Sequence, residues 1–361
     1  MLLNATADAS TDTKRGSRTA SRKDEHLRIN IDEDVAAKGI ESGFDDWRFV
    51  HRALPEIDLD DVTVRSHLLG KHVDAPLLIS CMTGGTEQAQ VINERLARVA
   101  QSHGLAMGLG SCRVLLEQPE VLPTFDVRPL APDVPLLANL GAVQLNLGVG
   151  TEECRHLLRI LRADALVLHL NPLQEALQTS GNTTFGGLLA RIASLCAGLG
   201  APVIVKEVGW GIADDLVTRL FDAGVAAVDV AGAGGTSWSE VERHRMTDSV
   251  RARVAASFAG WGIPTTEALI RARGAAPNGV LIASGGVRNG IDVAKALTFG
   301  ADSVGIAGPL VRAAAGGDDA LEETVSVILD ELRLAMFCVG ASRVADLHRD
   351  ASLVRCDGRA L

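Results

Sequence analysis

The sequence predicts an α/β chain folded as a (β/α)8 TIM barrel with an N-terminal extension. Three observations carry that expectation. From residue 76 onward, short apolar runs alternate with amphipathic stretches eight times over. Polar and glycine-rich residues gather where each apolar run ends, which is where a barrel builds its site. Hydrophobic residues make up 47% of the 361, yet aromatics are only 3% and Tyr is absent. A core of this size must then be built of Leu, Val, Ile and Ala, which suits parallel strands buried on both faces.

Residues 1–20, rich in Ser, Thr, Ala and Arg, read as a disordered tail. Residues 21–75 precede the strand rhythm and are expected to cap one end of the barrel. Within them the basic cluster SRKDEHLRI (21–29) is placed to fold over the mouth as a lid, although such a run is more often a solvated helix start. The predicted strands are 76–81, 105–110, 135–141, 165–170, 202–209, 226–232, 279–286 and 303–308. Helical stretches such as AQVINERLARVAQSHG and IADDLVTRLFDAG end at Gly104 and Gly224, good helix stops. Residues 233–264 form a long insertion after the sixth strand, and such insertions commonly join the site. The amphipathic helix ALEETVSVILDELRLAMFCVGA closes a barrel spanning 76–345, and 346–361 reads as a C-terminal tail. An open doubly wound sheet is the competing fold; eight repeats of similar length with polar strand ends favour the barrel.

A formal net charge of −10 argues against a nucleic-acid binder but leaves room for an anionic small substrate. The six Cys show no CxxC and no regular spacing, so they read as reduced thiols in a cytoplasmic protein. No apolar run reaches membrane-spanning length, and the first residues lack a secretory apolar segment, so no membrane association is expected.

Period-two alternation puts Val167, His169 and Asn171 on one face of the fourth strand, and Ile204 and Lys206 on one face of the fifth. A Lys within VIVKEV is costly to bury without an anionic partner, so it marks either a ligand site or a structural ion pair with a carboxylate such as Glu175. SGGVRNG and GIAGP follow the seventh and eighth strands, the usual place for a phosphate in a barrel, with a helix opening near Asn289. GAGGTSW after the sixth strand lacks the third Gly of a dinucleotide fingerprint and no clean helix is expected after it, so no Rossmann site is read there. Glu175 is a Mg²⁺ candidate, since that ion needs only one or two carboxylates beside substrate phosphates; a surface loop Glu is the alternative. No zinc spacing, HExxH or GxSxG occurs.

Taken together, SRKDEHLRI, GFDDWRFVHRALPEIDLDDV, APLLISCMTGGT, LVLHLNPLQEA, PVIVKEVGWGI, DVAGAGGTSW, LIASGGVRNG and GADSVGIAGP resemble one family, the FMN-dependent type 2 isopentenyl-diphosphate isomerases. The resemblance runs from about Ser21 to about Ala345. HLNPLQE and RKDEH are specific to it, whereas IASGGVRNG is shared with related FMN barrels. It implies a barrel of the FMN-dependent type and interconversion of isopentenyl diphosphate and dimethylallyl diphosphate by a 1,3-proton shift. It also implies reduced FMN as acid and base, NADPH as reductant, Mg²⁺, and a homo-oligomer, tetramer or octamer. Carried over by position, Met82, Thr83, Gly84, Ser111, Asn139, Lys206 and Thr236 would contact FMN, with Gly286, Arg288, Ala307 and Gly308 at its phosphate end. Arg22, Lys23, Ser111 and Arg113 would bind substrate, His169 and Asn171 would flank the diphosphate, and Glu175 would hold Mg²⁺. Gln174 would touch substrate and, with His169 and Lys206, form the catalytic set. Trp238 is open between walling the isoprenoid end and a core role. Cys81, Cys112, Leu147 and Val149 depart from the family pattern, and Cys112 bears on the shape of the pocket.

Two other readings compete. An FMN-dependent α-hydroxy-acid oxidase would need a His base, for which His244, in what reads as a polar loop, is the ambiguous candidate. A non-catalytic flavin-binding sensor would leave Arg22, Lys23, Gln174 and Glu175 idle.

Overall fold

Eight parallel strands close into a ring in the computed structural model, which describes residues 22–350 and 353–356. They are β1 (Leu77–Ile79), β2 (Ala106–Ser111), β3 (Leu136–Gly141), β4 (Ala165–Leu170), β5 (Val203–Glu207), β6 (Ala227–Asp229), β7 (Val280–Ser284) and β8 (Ser303–Ile306). Each pairs in parallel with the next, and β8 pairs with β1. All eight fall within one residue of, or inside, the runs expected from the sequence. The expected 1–20 tail lies outside the described residues.

The strands separate two apolar layers. Between strands and outer helices lies the main core of Leu, Val, Ile and Ala, with Phe44, Phe125 and Met107 among its largest members. Inside the ring, Leu78, Ala106, Leu137, Val167, Ile204, Ala227 and Ile282 pack together. Leu68 and Val73, from a hairpin of strands Ser66–Leu68 and Lys71–Val73, plug the N-terminal end of this interior. The barrel is thus filled by side chains and is no pore.

Among the described residues, part of the segment 346–361 expected as a tail is regular structure. The chain continues in the helix Val344–Asp350, and Leu353–Arg355 pairs antiparallel with Trp47–Phe49. Strand pairing across that sequence distance leaves no local signal, which is why this segment reads as a tail.

Two arginines tie loops at the N-terminal end. Arg128 donates from Nη1 to the carbonyls of Ala131, Pro132 and Val134, and from Nε and Nη2 to that of Arg162. Its Nη2 also meets Asp164 Oδ2 at 2.8 Å, and that oxygen accepts the Leu136 amide that opens β3. Arg273 repeats the pattern on Ala276, Pro277, Gly279 and Gly300, with Asp302 Oδ2 at 2.8 Å accepting the Leu281 amide in β7. Arg128 and Asp164 are 11% and 22% exposed, so their contacts are little screened. Replacing Arg128 with Met orphans several carbonyls at once. Urea unfolding is expected to show a loss of about 2–4 kcal/mol. A loss below about 0.5 kcal/mol, as at an ordinary surface site, would show that the arginine is not structural.

Candidate active site

The inner face of the barrel changes character in one step. Side chains alternate along a strand, so the residue two beyond each member of the apolar layer faces the same interior one layer higher. At that height stand Ser80, Asn139, His169, Lys206, Asp229 and Ser284, so an apolar plug carries a polar floor. Above the floor is a cavity of about 550 Å³, the size of a cofactor site. Its roof comes from a helix over residues 22–32 and from the segment following β6.

Every residue expected from the sequence to hold FMN, substrate or Mg²⁺ lines this cavity, from Met82 to Gly308, from Arg22 to Gln174, and Glu175. Lys206 is 11% exposed; its Nζ donates to the Glu207 carbonyl at 2.6 Å and lies 4.0 Å from Asp229 Oδ2. The ion pair to Glu175 considered from the sequence is therefore not the one formed. Asp229 is fully buried, accepts from Ser284 Oγ at 2.7 Å, and has its carboxyl pushed up by burial against the pull of Lys206. His169 Nδ1 donates to Asn139 Oδ1 at 2.8 Å. Burial, then Lys206 and Arg113, push the imidazole down to about 3, so it is neutral and its Nε2, beside Gly141, is left as an acceptor.

The short helix Pro172–Leu177 presents HLNPLQE to the cavity. Asn171 Nδ2 donates to Gln174 Oε1 at 3.0 Å and to Glu175 Oε1 at 3.2 Å. Glu175 Oε2 accepts the Asn182 amide. Gln174 Nε2 donates to Glu242 Oε1 at 3.3 Å. Glu242, which sequence reasoning passed over, is 2% exposed and also meets His26 Nε2 at 3.0 Å. Burial alone would raise its carboxyl, but hydrogen bonds from His26 and Gln174 and the charge of Arg245 hold it below the usual range.

The basic lid is a helix seated on the mouth. Lys23 Nζ donates to the carbonyls of Gly84 at 2.8 Å and Ser111 at 3.1 Å, and Arg22 Nη1 to Gln178 Oε1 at 3.2 Å. Burial, with Arg113 and Arg22 adding repulsion, pushes the Lys23 ammonium down to about 8. His26 stacks edge-on against Trp238, ring centres 5.3 Å apart, so Trp238 packs under the lid and lines the cavity at once. A helix, Trp238–Arg245, does follow GAGGTSW, contrary to expectation. His244 lies on it, exposed, and does not line the cavity, which removes the base an α-hydroxy-acid oxidase would need.

At the far end the loops after β6 and β7 pack backbone on backbone. Gly285 and Gly286 have φ of +100° and +70°, and a Cβ at Gly285 would collide with the Gly232 carbonyl. The helix Gly290–Thr298 begins there, capped by Asn289, and Arg312 joins Arg288 on the wall. Cys81 and Cys112 are pushed up by burial to about 12 and about 11, so neither offers a thiolate.

These residues fit a flavin mononucleotide. Ser80 Oγ and Asn171 Oδ1, on residues that line the cavity, are buried without a hydrogen-bond partner, and a ligand with a polar rim would supply partners. The glycine loops leave backbone room for its phosphate. For a metal the fit is narrower. Among the described residues no group of three or more His, Cys, Asp or Glu could hold one, so Glu175 suits only a cation otherwise ligated by substrate and water.

Comparison with known proteins agrees with this frame. The family model of FMN-dependent dehydrogenases matches residues 156–354. Solved structures with the same fold include a mandelate oxidase (18% identity, TM-score 0.63, 96% of this chain and 98% of that one). A chimera of (S)-mandelate dehydrogenase is another (16%, TM-score 0.64, 95% and 99%). Curated relatives named isopentenyl-diphosphate delta-isomerase are far more similar. The Nostoc sp. protein is 48% identical over 95% of this chain and 98% of its own length, and the Synechococcus sp. protein 52% over 93% and 96%. That of Rickettsia akari is 48% identical over 91% and 96%. With that identity over nearly the whole chain, on a barrel of the FMN-dependent dehydrogenase type, the chain belongs to the type 2 isopentenyl-diphosphate delta-isomerase family and is an isomerase.

Proposed function

We propose that the chain interconverts isopentenyl diphosphate and dimethylallyl diphosphate by a 1,3-allylic proton shift in this cavity, with FMN reduced by NADPH and with Mg²⁺. One observation carries the reading: a cationic lid, a Gln–Glu pair and a buried lysine converge on a single enclosed space. A diphosphate brings about three negative charges, so an acidic protein needs local cations to hold it. Arg22, Lys23 and Arg113 supply them from the lid and from the end of β2. His169 is neutral in the free protein; a diphosphate beside it would draw a second proton onto Nε2 and turn an acceptor into a donor.

Alkene carbon is a very weak base, so protein side chains are poor proton donors to it. Reduced FMN, when bound, supplies the acid and base for the proton shift. Lys206, at the floor, would stabilise negative charge on a reduced flavin held in the cavity, and Asn139 and Ser80 would offer it polar contacts. Mg²⁺, when bound, offsets diphosphate charge beside Glu175. Gln174, fixed by Asn171 and Glu242, orients the reacting hydrocarbon, and Trp238 walls it from water.

An anaerobic assay tests the proposal. Protein, Mg²⁺ and isopentenyl diphosphate are mixed with FMN, either oxidised or chemically reduced, and dimethylallyl diphosphate is quantified. Product is expected with reduced FMN alone; equal product with oxidised FMN would refute the flavin's role. Glu175→Gln is expected to keep FMN affinity while raising the Mg²⁺ concentration for half-maximal rate by about 10-fold or more. An unchanged Mg²⁺ dependence would remove Glu175 as the metal ligand. The pH profile isolates Lys23. Its charged form is lost as pH rises through about 8, so kcat/KM is expected to fall above that pH. Lys23→Arg, which stays charged, should move that limb upward; the same limb in both proteins would assign it to another group.

A further inference from the structure

Arg245 does not line the cavity, yet it joins two elements that do. Its Nη1 donates to Glu242 Oε2 at 2.7 Å, on its own helix, and its Nε to Glu25 Oε2 at 2.9 Å, on the N-terminal helix. Exposure falls along this chain, from Glu25 at 46% through Arg245 at 20% to Glu242 at 2%. The inner end of the chain is the carboxylate that accepts from Gln174.

Four groups face Glu242. His26 and Arg22 come from the N-terminal helix, Gln174 from Pro172–Leu177, and Arg245 from its own helix. His26 is pushed down by burial and is neutral near pH 7, and Gln174 carries no charge. Among the described residues, Arg245 is thus the one permanent cation hydrogen-bonded to this buried carboxylate. A guanidinium has donors on more than one edge and can hold both carboxylates at once; a lysine ammonium is a point charge on a flexible stem.

We propose that Arg245 is a positioning residue: it latches the N-terminal helix over the cavity through Glu25, and through Glu242 it fixes the orientation of Gln174. Its kinetic consequence rests on the isomerase reading above; its latching consequence does not. With Arg245 removed, the helix retains Lys23 and His26 as ties but loses its outer one, and Glu242 is free to turn away from Gln174.

The test uses full-length, FMN-loaded wild type, Glu25→Gln, Arg245→Gln and Arg245→Lys. Limited trypsin digestion, followed by mass spectrometry, reads cleavage after Arg28 in the N-terminal helix. Both Gln variants are expected to speed that cleavage by about tenfold, since lost ties favour local opening. In steady-state kinetics, Glu25→Gln is expected to raise KM with kcat within about twofold. Arg245→Gln should raise KM and lower kcat by about 10²-fold, as for a misplaced orienting group. Arg245→Lys should recover part of kcat but leave fast cleavage. FMN affinity, read by fluorescence quenching, should not move in any variant. Wild-type cleavage and kinetics in Arg245→Gln would overturn the proposal, as would FMN affinity falling in step with kcat, which marks a general structural role. If Arg245→Gln does not fold, Glu25→Gln decides, and a cleavage rate equal to wild type overturns the latch. A wild type without isomerase activity would refute the functional reading, and the trypsin rates would still decide the latch.

Discussion

A lysine ammonium at the floor of an apolar barrel is costly to bury, and the chemistry of this cavity is arranged around that cost. Lys206 is offset by one carbonyl and by a carboxylate 4.0 Å away, too far for a full ion pair. The remaining field reaches its neighbours. It helps keep His169 neutral, counters the effect of burial on Asp229, and acts on the thiol of Cys81. A cation half-neutralised by the protein is one that an anionic or electron-rich ligand completes. Glu207, next in the chain, shows the contrary solution. Its carboxylate points away from the cavity's cations into three consecutive backbone amides, Val208 to Trp210, at 2.6–2.7 Å, and burial still raises it to about 7.

The roof depends on segments far apart in sequence being woven together. Ala36 bridges Thr236, Ala37 donates to the Gly235 carbonyl, and Ser237 donates to that of Val35. Lys38 donates to the Ala259 carbonyl and Thr266 to that of Ser42. The extension before the barrel is therefore laced along the insertion after β6. Beneath this lacing, Ile29, Val35 and Val241 form a small apolar cluster of their own, against which Trp238 packs. A lid so seated sheds water from the cavity, with its Lys23 and His26 contacts buried and only the Glu25 contact toward solvent.

Much of the frame was legible in the sequence because it rests on local periodicity. Alternation in DALVLHL and PVIVKEV was enough to turn His169 and Lys206 inward, since Val167 and Ile204 belong to the interior layer. The same rule applied to AAVDVAG turns Asp229 inward, the residue that faces Lys206, since Ala227 belongs to the interior layer. Glu242 and Arg245 were not legible, and His26 was legible only as a member of the basic cluster 21–29, without its partner. On their own helices they are ordinary charged residues, and only the meeting of the N-terminal helix with the insertion makes them a network. The strand Leu353–Arg355 escaped for a related reason, since its partner lies at the opposite end of the chain. The helix after GAGGTSW escaped because WSEVERHR is polar and has no strong apolar stripe.

The two arginine ties at the N-terminal end have a geometric consequence for the mouth. Arg128 and Arg273 reach carbonyls at the same spacings along the chain, three, four and six residues on. They anchor β3 and β7, which stand across the ring from one another. The two strands are therefore anchored alike, with Leu136 and Leu281 at corresponding points. Followed upward from those points, Asn139 and Ser284 correspond as well. One strand has placed an amide backed by an imidazole at that height, and the other a hydroxyl followed by two glycines. Two strands anchored alike at the base present two chemically unlike ends at the rim, which suits a ligand that is itself polar at both ends and differs between them.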